Sequence, residues 1–100
     1  MAVISQNGFY IVMNLKAGKN YESYARFYIG NKRRFAESLF QKLKGSKEVS
    51  EKSILQLELT EISKGLPVNI NLLSCTLDEL AENCKIITKE LFKQFNLERK

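Results

Sequence analysis

Two cysteines and a run of three cations are the residues of this chain whose types and spacing suggest chemistry. Cys75 and Cys84 lie nine residues apart, and two thiolates alone do not complete the tetrahedral shell of a zinc site. The chain contains no histidine, so the commonest general base and the commonest metal ligand are both missing. Catalytic triads that need histidine are therefore excluded within one chain, and neither glycine-rich phosphate-binding motif is present. We predict a protein that is not an enzyme and that holds no metal or cofactor.

The cysteines also predict a reducing, cytoplasmic setting, because secreted domains of this size usually carry four or more of them. Cys84 lies on the apolar side of a predicted helix, where a free thiol behaves as a small hydrophobic residue. Cys75 immediately precedes that helix, whose dipole lowers the pKa of a nearby thiol, but simple packing is the favoured interpretation. The sequence shows neither a secretory signal nor a transmembrane run. We expect no membrane association.

The cations Lys32, Arg33 and Arg34 follow Asn31, which we predict to be the N-cap of a helix. Positive charges in a first turn face the positive pole of the helix dipole, which is unfavourable. The free N–H groups of such a turn, together with three cations, suit a phosphate or carboxylate. The alternative is that these side chains bend back into water, where salt screens their charge. Asn31, Lys32, Arg33 and Arg34 are the candidate anion-binding residues.

A second candidate site comes from tyrosines on two predicted strands. Tyr24, Arg26 and Tyr28 share one parity of their strand, and Tyr10 and Val12 share one parity of theirs. If helices cover only the other side of the sheet, these five residues form an exposed aromatic patch, which on a soluble domain often marks a binding surface. A protein interface, most simply a homodimer or a contact with another protein, is the first interpretation. Stacking of single-stranded nucleic acid is the second, and tyrosines that merely cover a sheet face are the third.

The first half of the chain predicts two strands followed by a helix. Residues 9–16 form an apolar run, residues 24–29 alternate with a period of two, and the polar segment 17–23 connects them. A helical period then begins after Asn31, and Gly45 follows the last apolar position, where a left-handed residue commonly ends a helix. The apolar positions of this predicted helix are Phe35, Ala36, Leu39, Phe40 and Leu43.

The second half predicts the same order after a polar linker at residues 46–53. Two alternating strands flank a turn at residues 63–67. Thr76 and Glu79 have the spacing of a capping box, with Cys75 and Leu80 at the positions of a hydrophobic staple. The helix that follows should extend to about residue 96. Its apolar stripe comprises Leu77, Leu80, Ala81, Cys84, Ile87, Leu91, Phe92 and Phe95.

These elements predict an α+β fold in ββαββα order, a two-layer sandwich in which a four-stranded, mainly antiparallel sheet carries both helices on one face. We treat residues 1–100 as one domain with two ββα units at 8–45 and 54–97. A shift of 45 positions superimposes the two halves and suggests an internal duplication. Alternation predicts the sheet residues beneath the helices to be Phe27, Ile29, Leu55, Leu57, Leu59, Val68, Ile70 and Leu72.

Charge is distributed unevenly between the halves and leaves two functions open. Residues 1–50 hold nine Lys or Arg against three Glu, whereas residues 51–100 hold seven against eight acidic residues. The net charge of +5 permits nucleic-acid binding without establishing it, because binders of polyanions usually carry a more concentrated basic stripe. The first hypothesis is a non-catalytic interaction module that self-associates through the tyrosine-bearing face or a sheet edge. The alternative is nucleic-acid or phosphate-ligand binding.

Overall fold

A computed structural model describes residues 7–48 and 53–98, with the side chains of residues 95–98 outside the description. The predicted fold class is confirmed. One antiparallel sheet has the strand order β2-β1-β3-β4, so the first strand of each half lies inside the sheet. The elements are β1 (Gly8–Ala17), β2 (Asn20–Gly30), α1 (Arg33–Gln41), β3 (Leu55–Ser63), β4 (Leu66–Cys75) and α2 (Leu77–Glu98).

Both helices pack on one face of the sheet around a single apolar core. Ile11 of β1 and Leu59 of β3 are cross-strand partners, and neither is exposed at all. Leu39 of α1 and Ile87 of α2 belong to the same buried cluster, so the two helices share one side. Apolar side chains of one parity from the central strands therefore supply the floor of this core.

Irregularities in both edge strands change which side chains point toward the helices. In β2, Tyr24 and Ile29 lie opposite no residue of β1. In β4, Ile70 lies opposite no residue of β3. An extra residue of this kind interrupts the alternation of a strand. Leu72 was predicted beneath the helices, but it pairs with Glu58 and lies on the open face. Val68 pairs with Glu61 and lies on the helix side as predicted, but it is 53% exposed, so no helix covers it. Beyond the irregularity, Leu73 and Cys75 occupy the helix side of β4 instead and are buried.

Helix α1 is shorter than predicted and begins one residue later. Lys32, not Asn31, is the N-cap, and its side chain makes no capping hydrogen bond. The helix ends at Gln41, so Gly45 is not its left-handed C-terminal residue. Gly45 is nevertheless a position that only glycine fits, with φ at +149° and a Cβ that would lie 2.5 Å from the carbonyl oxygen of Ser74.

Helix α2 begins with the predicted capping box. The Thr76 N–H donates to the Glu79 carboxylate at 2.9 Å, and the Glu79 N–H donates to the Thr76 hydroxyl at 3.1 Å. Cys75 is buried in the core and Leu80 packs against it, as a hydrophobic staple requires. The predicted apolar residue Phe95 lies outside the described side chains.

Replacing Thr76 with alanine should destabilise the protein by about 1 kcal/mol, because the hydroxyl is a reciprocal cap of the longest helix. The matched variant Asn31→Ala should change the free energy of unfolding by less than about 0.5 kcal/mol, since exposed Asn31 caps nothing. Urea denaturation followed by circular dichroism measures both. A loss for Asn31→Ala equal to that for Thr76→Ala would contradict this assignment of the caps.

The segment after α1 is tied to the second half of the chain. The amide of Asn83, fully buried in α2, accepts from the Lys44 N–H at 2.7 Å and donates to the Lys44 carbonyl at 2.8 Å. Ser46 and Ser74 exchange two backbone hydrogen bonds of 2.8 Å. The predicted linker at 46–53 is thus anchored at its start, whereas residues 49–52 lie outside the description.

The structure does not support the uniform shift of 45 that suggested an internal duplication. In the strands the irregular positions Tyr24 and Ile70 are 46 apart, and an even shift is required because an odd one exchanges the two faces of a strand. At the helices Lys32 and Thr76, the residues preceding the first helical positions, are 44 apart. The shift of 44 also places buried Leu39 on buried Asn83.

Candidate functional site

The sheet face opposite the helices carries most of the predicted tyrosine patch. Tyr10, Val12 and Ile62 form a second buried cluster there, and all three lie on strands. The predicted exposure of Tyr10 and Val12 is wrong, since each is only 8% exposed. The reason is lateral packing, because both residues belong to the central strand β1 and long side chains on its neighbours cover them.

Tyr28 and Arg26 provide that cover. The rings of Tyr10 and Tyr28 lie 5.2 Å apart at an interplanar angle of 54°, and the Arg26 guanidinium carbon lies 5.6 Å from the centre of the Tyr10 ring. Both contacts have the geometry of favourable aromatic and cation–π pairs. The structure therefore brings together four of the five predicted patch residues, Tyr10, Val12, Arg26 and Tyr28.

Tyr24 is the fifth predicted patch residue, and it stands apart from the other four. It is 59% exposed, at the irregularity where β2 loses its register with β1. Ser23, rather than Tyr24, is the partner of Asn14. The alternation that predicted Tyr24 beside Arg26 does not continue through this position.

A hydrogen-bonded chain of polar side chains crosses the same face and was not predicted. The Ser23 hydroxyl donates to Asn14, and the Asn14 amide donates to the Glu58 carboxylate, each at 2.9 Å. Asn14 is 8% exposed, so these partners satisfy an amide that has left water. An asparagine within the apolar run of the first strand was the signal available in the sequence.

The predicted anion site is occupied in part by the chain's own carboxylates. Arg33 Nε lies 3.0 Å from Glu37 and Arg33 Nη1 lies 3.4 Å from Glu61. Lys32 and Arg34 are exposed beside it, and Asn31 precedes the N-cap. An incoming phosphate would meet these two carboxylates at Arg33, and their negative charge weakens its attraction to the guanidinium.

The outer edge of β4 is a further surface that sequence reasoning did not single out. A groove of about 410 Å³ runs along it, lined by Lys47 and residues 69–72. Leu66, Val68 and Leu72 are exposed on this strand. The outward backbone groups of β4 bond to Ser46 at one end, and Pro67 near the other end has no N–H to offer.

An apolar groove of about 630 Å³ lies where the sheet meets the start of α2. Its apolar lining includes Leu15, Leu55, Cys75 and Leu77. The Glu79 carboxylate also lines it and already accepts a hydrogen bond from the Thr76 N–H. Among the described residues that line this groove, no pair of ionisable groups is suited to acid–base catalysis.

The Cys75 thiol, just before the start of α2, is unsuited to nucleophilic chemistry. Burial, followed by the charge of Glu79 and the neighbouring Cys84, raises the pKa of Cys75 from 9.0 to about 11. A helix dipole would lower the pKa of this thiol, so the shift is opposite to the one that the sequence suggested. Both cysteines are free. In the part of the chain that the structure describes, no three acidic or cysteine side chains gather as metal ligands.

Comparison with protein-family models, with curated proteins and with solved structures finds no significant match to this chain. None of the helices within residues 7–48 and 53–98 has the length and apolar content to cross a membrane.

Proposed function

We propose that this protein is a non-catalytic interaction module that forms a homodimer through the outer edge of β4. The observation that carries the proposal is the composition of that edge. The ten residues of β4 include no charged residue, while Leu66, Val68 and Leu72 are 68%, 53% and 38% exposed. Edge strands usually carry charges, often lysine, that prevent pairing with another chain.

The backbone geometry supports strand addition at this edge. Ser46 already pairs with Ser74 in the antiparallel sense, so outward N–H and C=O groups of β4 are aligned for a further strand. Because outward-facing groups alternate along a strand, those of Leu72 face the same direction as those of Ser74. Pro67 limits pairing at one end, and the irregularity at Ile70 interrupts it, so only short segments on either side of Ile70 within residues 68–72 can pair.

A second copy of the chain is the partner that this edge suits. A two-fold axis brings the same strand edge of both copies together, so an edge that carries charges of one sign would repel itself. The residues of β4 itself carry no charge, and Lys47 is the charged residue that lines the groove along this edge. The other edge strand, β2, carries Glu22 and Arg26 and is irregular at two positions, Tyr24 and Ile29. These charges oppose a self-paired ladder, and β2 has one more irregular position than β4.

The open sheet face is the competing contact for a homodimer. Its most apolar side chains, those of Tyr10, Val12 and Ile62, already cover one another. Tyr28 is only 38% exposed, so the face has less apolar area to gain from a partner than Leu66 and Val68 of β4, which are 68% and 53% exposed. We also propose a reducing, cytoplasmic setting, which the two unpaired thiols support.

Sedimentation velocity across a concentration series tests the proposal. We expect a dimer that resists salt, and we expect Val68→Lys to weaken its association by about tenfold or more, because a lysine on an edge strand opposes pairing with another chain. Tyr28→Lys on the sheet face is the matched control and should leave association unchanged. Circular dichroism checks that both variants fold.

Three results would overturn the proposal. The first is a monomer at 100 µM protein. The second is dissociation by Tyr28→Lys with Val68→Lys unaffected, which would place the contact on the sheet face. The third is retention on heparin or single-stranded DNA that falls steeply with salt and is lost in Arg34→Glu, because released counterions mark phosphate binding. That result would favour the nucleic-acid hypothesis.

A further inference from the structure

We propose that the dimer contact continues from β4 onto helix α2, whose outward apolar stripe packs antiparallel against the same stripe of the second copy. This inference rests on the proposed homodimer. The outward stripe is defined by side chains three or four positions apart on one side of the helix, namely Leu77, Ala81, Cys84, Thr88 and Phe92.

Helix α2 divides its apolar residues between two sides, and only one of them is buried. Asn83 and Ile87 are at most 1% exposed, whereas Leu77 and Phe92 are 72% and 66% exposed. Successive residues of a helix are about 100° apart, so Phe92 lies about 180° around the axis from Asn83. The exposed apolar side chains of Leu77 and Phe92 are therefore not explained by burial in the core.

The neighbours of α2 determine where that stripe points. Asn83 bonds to Lys44, and Glu90 lies 3.1 Å from Lys42, so this side of α2 faces the end of α1. Helix α1 packs over β1 and β3, while α2 packs over the edge strand β4. The side of α2 opposite to α1 consequently projects toward the outer edge of β4.

The stripe also lies at the height of the exposed segment of β4. Strand residues rise about 3.3 Å each, so residues 72 to 68 lie about 10 to 23 Å from Cys75. Helix residues rise about 1.5 Å each, so Cys84 to Phe92 lie about 10 to 22 Å from Leu77, near the same end of the sheet. A two-fold axis through paired β4 strands therefore passes close to the outward stripe.

The charges beside the stripe favour an antiparallel approach of two α2 helices. The exposed charges of the first turns are acidic, Asp78 and Glu82, whereas those farther along are basic, Lys85 and Lys89. A two-fold axis across α2 places the acidic half of one helix beside the basic half of the other. A parallel arrangement would place like charges together.

The area of the contact also favours an interface larger than the β4 edge alone. A ladder confined to residues 68–72 is short, and stable interfaces bury about 1,200–2,000 Å² in total. Leu77 and Phe92 are large, exposed and on the same side of the molecule as the ladder. Including them supplies the apolar area that the strand edge alone lacks.

Phe92→Asp tests the inference in the full-length chain. We expect the dimer dissociation constant to rise by about tenfold or more, as for a central aromatic contact. Tyr24→Asp is the matched control, because Tyr24 is a comparably exposed aromatic residue on the opposite edge strand. It should change the constant by less than about twofold. Circular dichroism confirms folding of both variants.

Cross-linking with a short bismaleimide gives a second readout that does not depend on a destabilising change. Cys84 is partly exposed whereas Cys75 is buried, so a covalent dimer should form through Cys84 and disappear in Cys84→Ser. A dimer that Val68→Lys dissociates but that ignores Phe92→Asp and yields no cross-link would overturn this inference alone. A chain that is monomeric throughout would overturn the homodimer as well.

Discussion

Asn83→Ala is expected to lower the free energy of unfolding by about 2–3 kcal/mol, because one truncation removes two hydrogen bonds and leaves both backbone groups of one residue unpaired. Asn83 is completely buried in α2 and holds the Lys44 N–H and carbonyl at 2.7 and 2.8 Å. It connects the helix of the second unit to the end of the first. Urea denaturation monitored by circular dichroism measures the loss.

Asn83→Asp separates the hydrogen bonds from the loss of volume. The carboxylate keeps the shape of the side chain and still accepts from the Lys44 N–H, but it places negative charge against the Lys44 carbonyl. We expect destabilisation at pH 7 that is partly relieved at pH 4, since a protonated acid donates as the amide does. Asn71→Ala, an exposed asparagine of β4, should have little effect. Equal stability of all three variants would contradict the role of Asn83.

Gly45→Ala should be comparably severe, costing about 3 kcal/mol or more from strained backbone and a direct clash. A Cβ at this position would lie 2.5 Å from the Ser74 carbonyl oxygen and 2.9 Å from Leu73 Cγ. The backbone oxygen is itself held by the Ser46 N–H, so it has little freedom to move. We expect the variant to lose the pairing of Ser46 with β4.

Gly18→Ala provides the matched control for Gly45→Ala. Gly18 also has positive φ, at +68°, but no atom lies within 4 Å of its would-be Cβ. It should cost only about 1–2 kcal/mol, the strain of a left-handed residue. Thermal denaturation gives the difference between the two variants, and amide hydrogen exchange at Ser46 and Ser74 reports the pairing directly. A Gly45→Ala protein as stable as Gly18→Ala, with protected amides, would refute this account.

The features that the sequence predicted well are those with local causes. The capping box needs only Thr76 and Glu79 at a fixed spacing within one turn, and the structure contains both of its hydrogen bonds. Strand and helix periods are equally local, so the ββαββα order and the fold class followed from them. The choice of N-cap failed at Asn31 because capping depends on the backbone direction at which the preceding strand ends.

A period of two was not enough to predict which face of the sheet each side chain of the edge strands occupies. The irregular positions Tyr24 and Ile70 each insert one residue, and every inference carried across them by alternation changes face. This is why Leu72 is exposed and why Tyr24 stands apart from Arg26. Polar residues in these strands gave no indication of where the extra residue lies.

The candidate sites depended on packing between distant segments. Tyr10 is covered by Tyr28 and Arg26 from the neighbouring strand, and Arg33 is drawn to Glu61, 28 residues away. The sequence predicted one apolar stripe on α2, whereas in the structure its residues divide between a side facing the core and an outward side. This division depends on the position of α1. Such contacts follow from the strand order, which the sequence left undetermined.

The interior position of β1 has a consequence for synthesis on the ribosome. One of its two neighbours in the finished sheet is β3. The first residue of β3, Leu55, is translated well after Phe9 and Ile11 have emerged. Synthesis proceeds at about 5–20 residues per second, so this apolar strand edge of the nascent chain stays without its partner strand for roughly 2–10 s. We expect aggregation during expression to be greatest for chains stalled in that interval, and a chaperone that shields strand edges to relieve it.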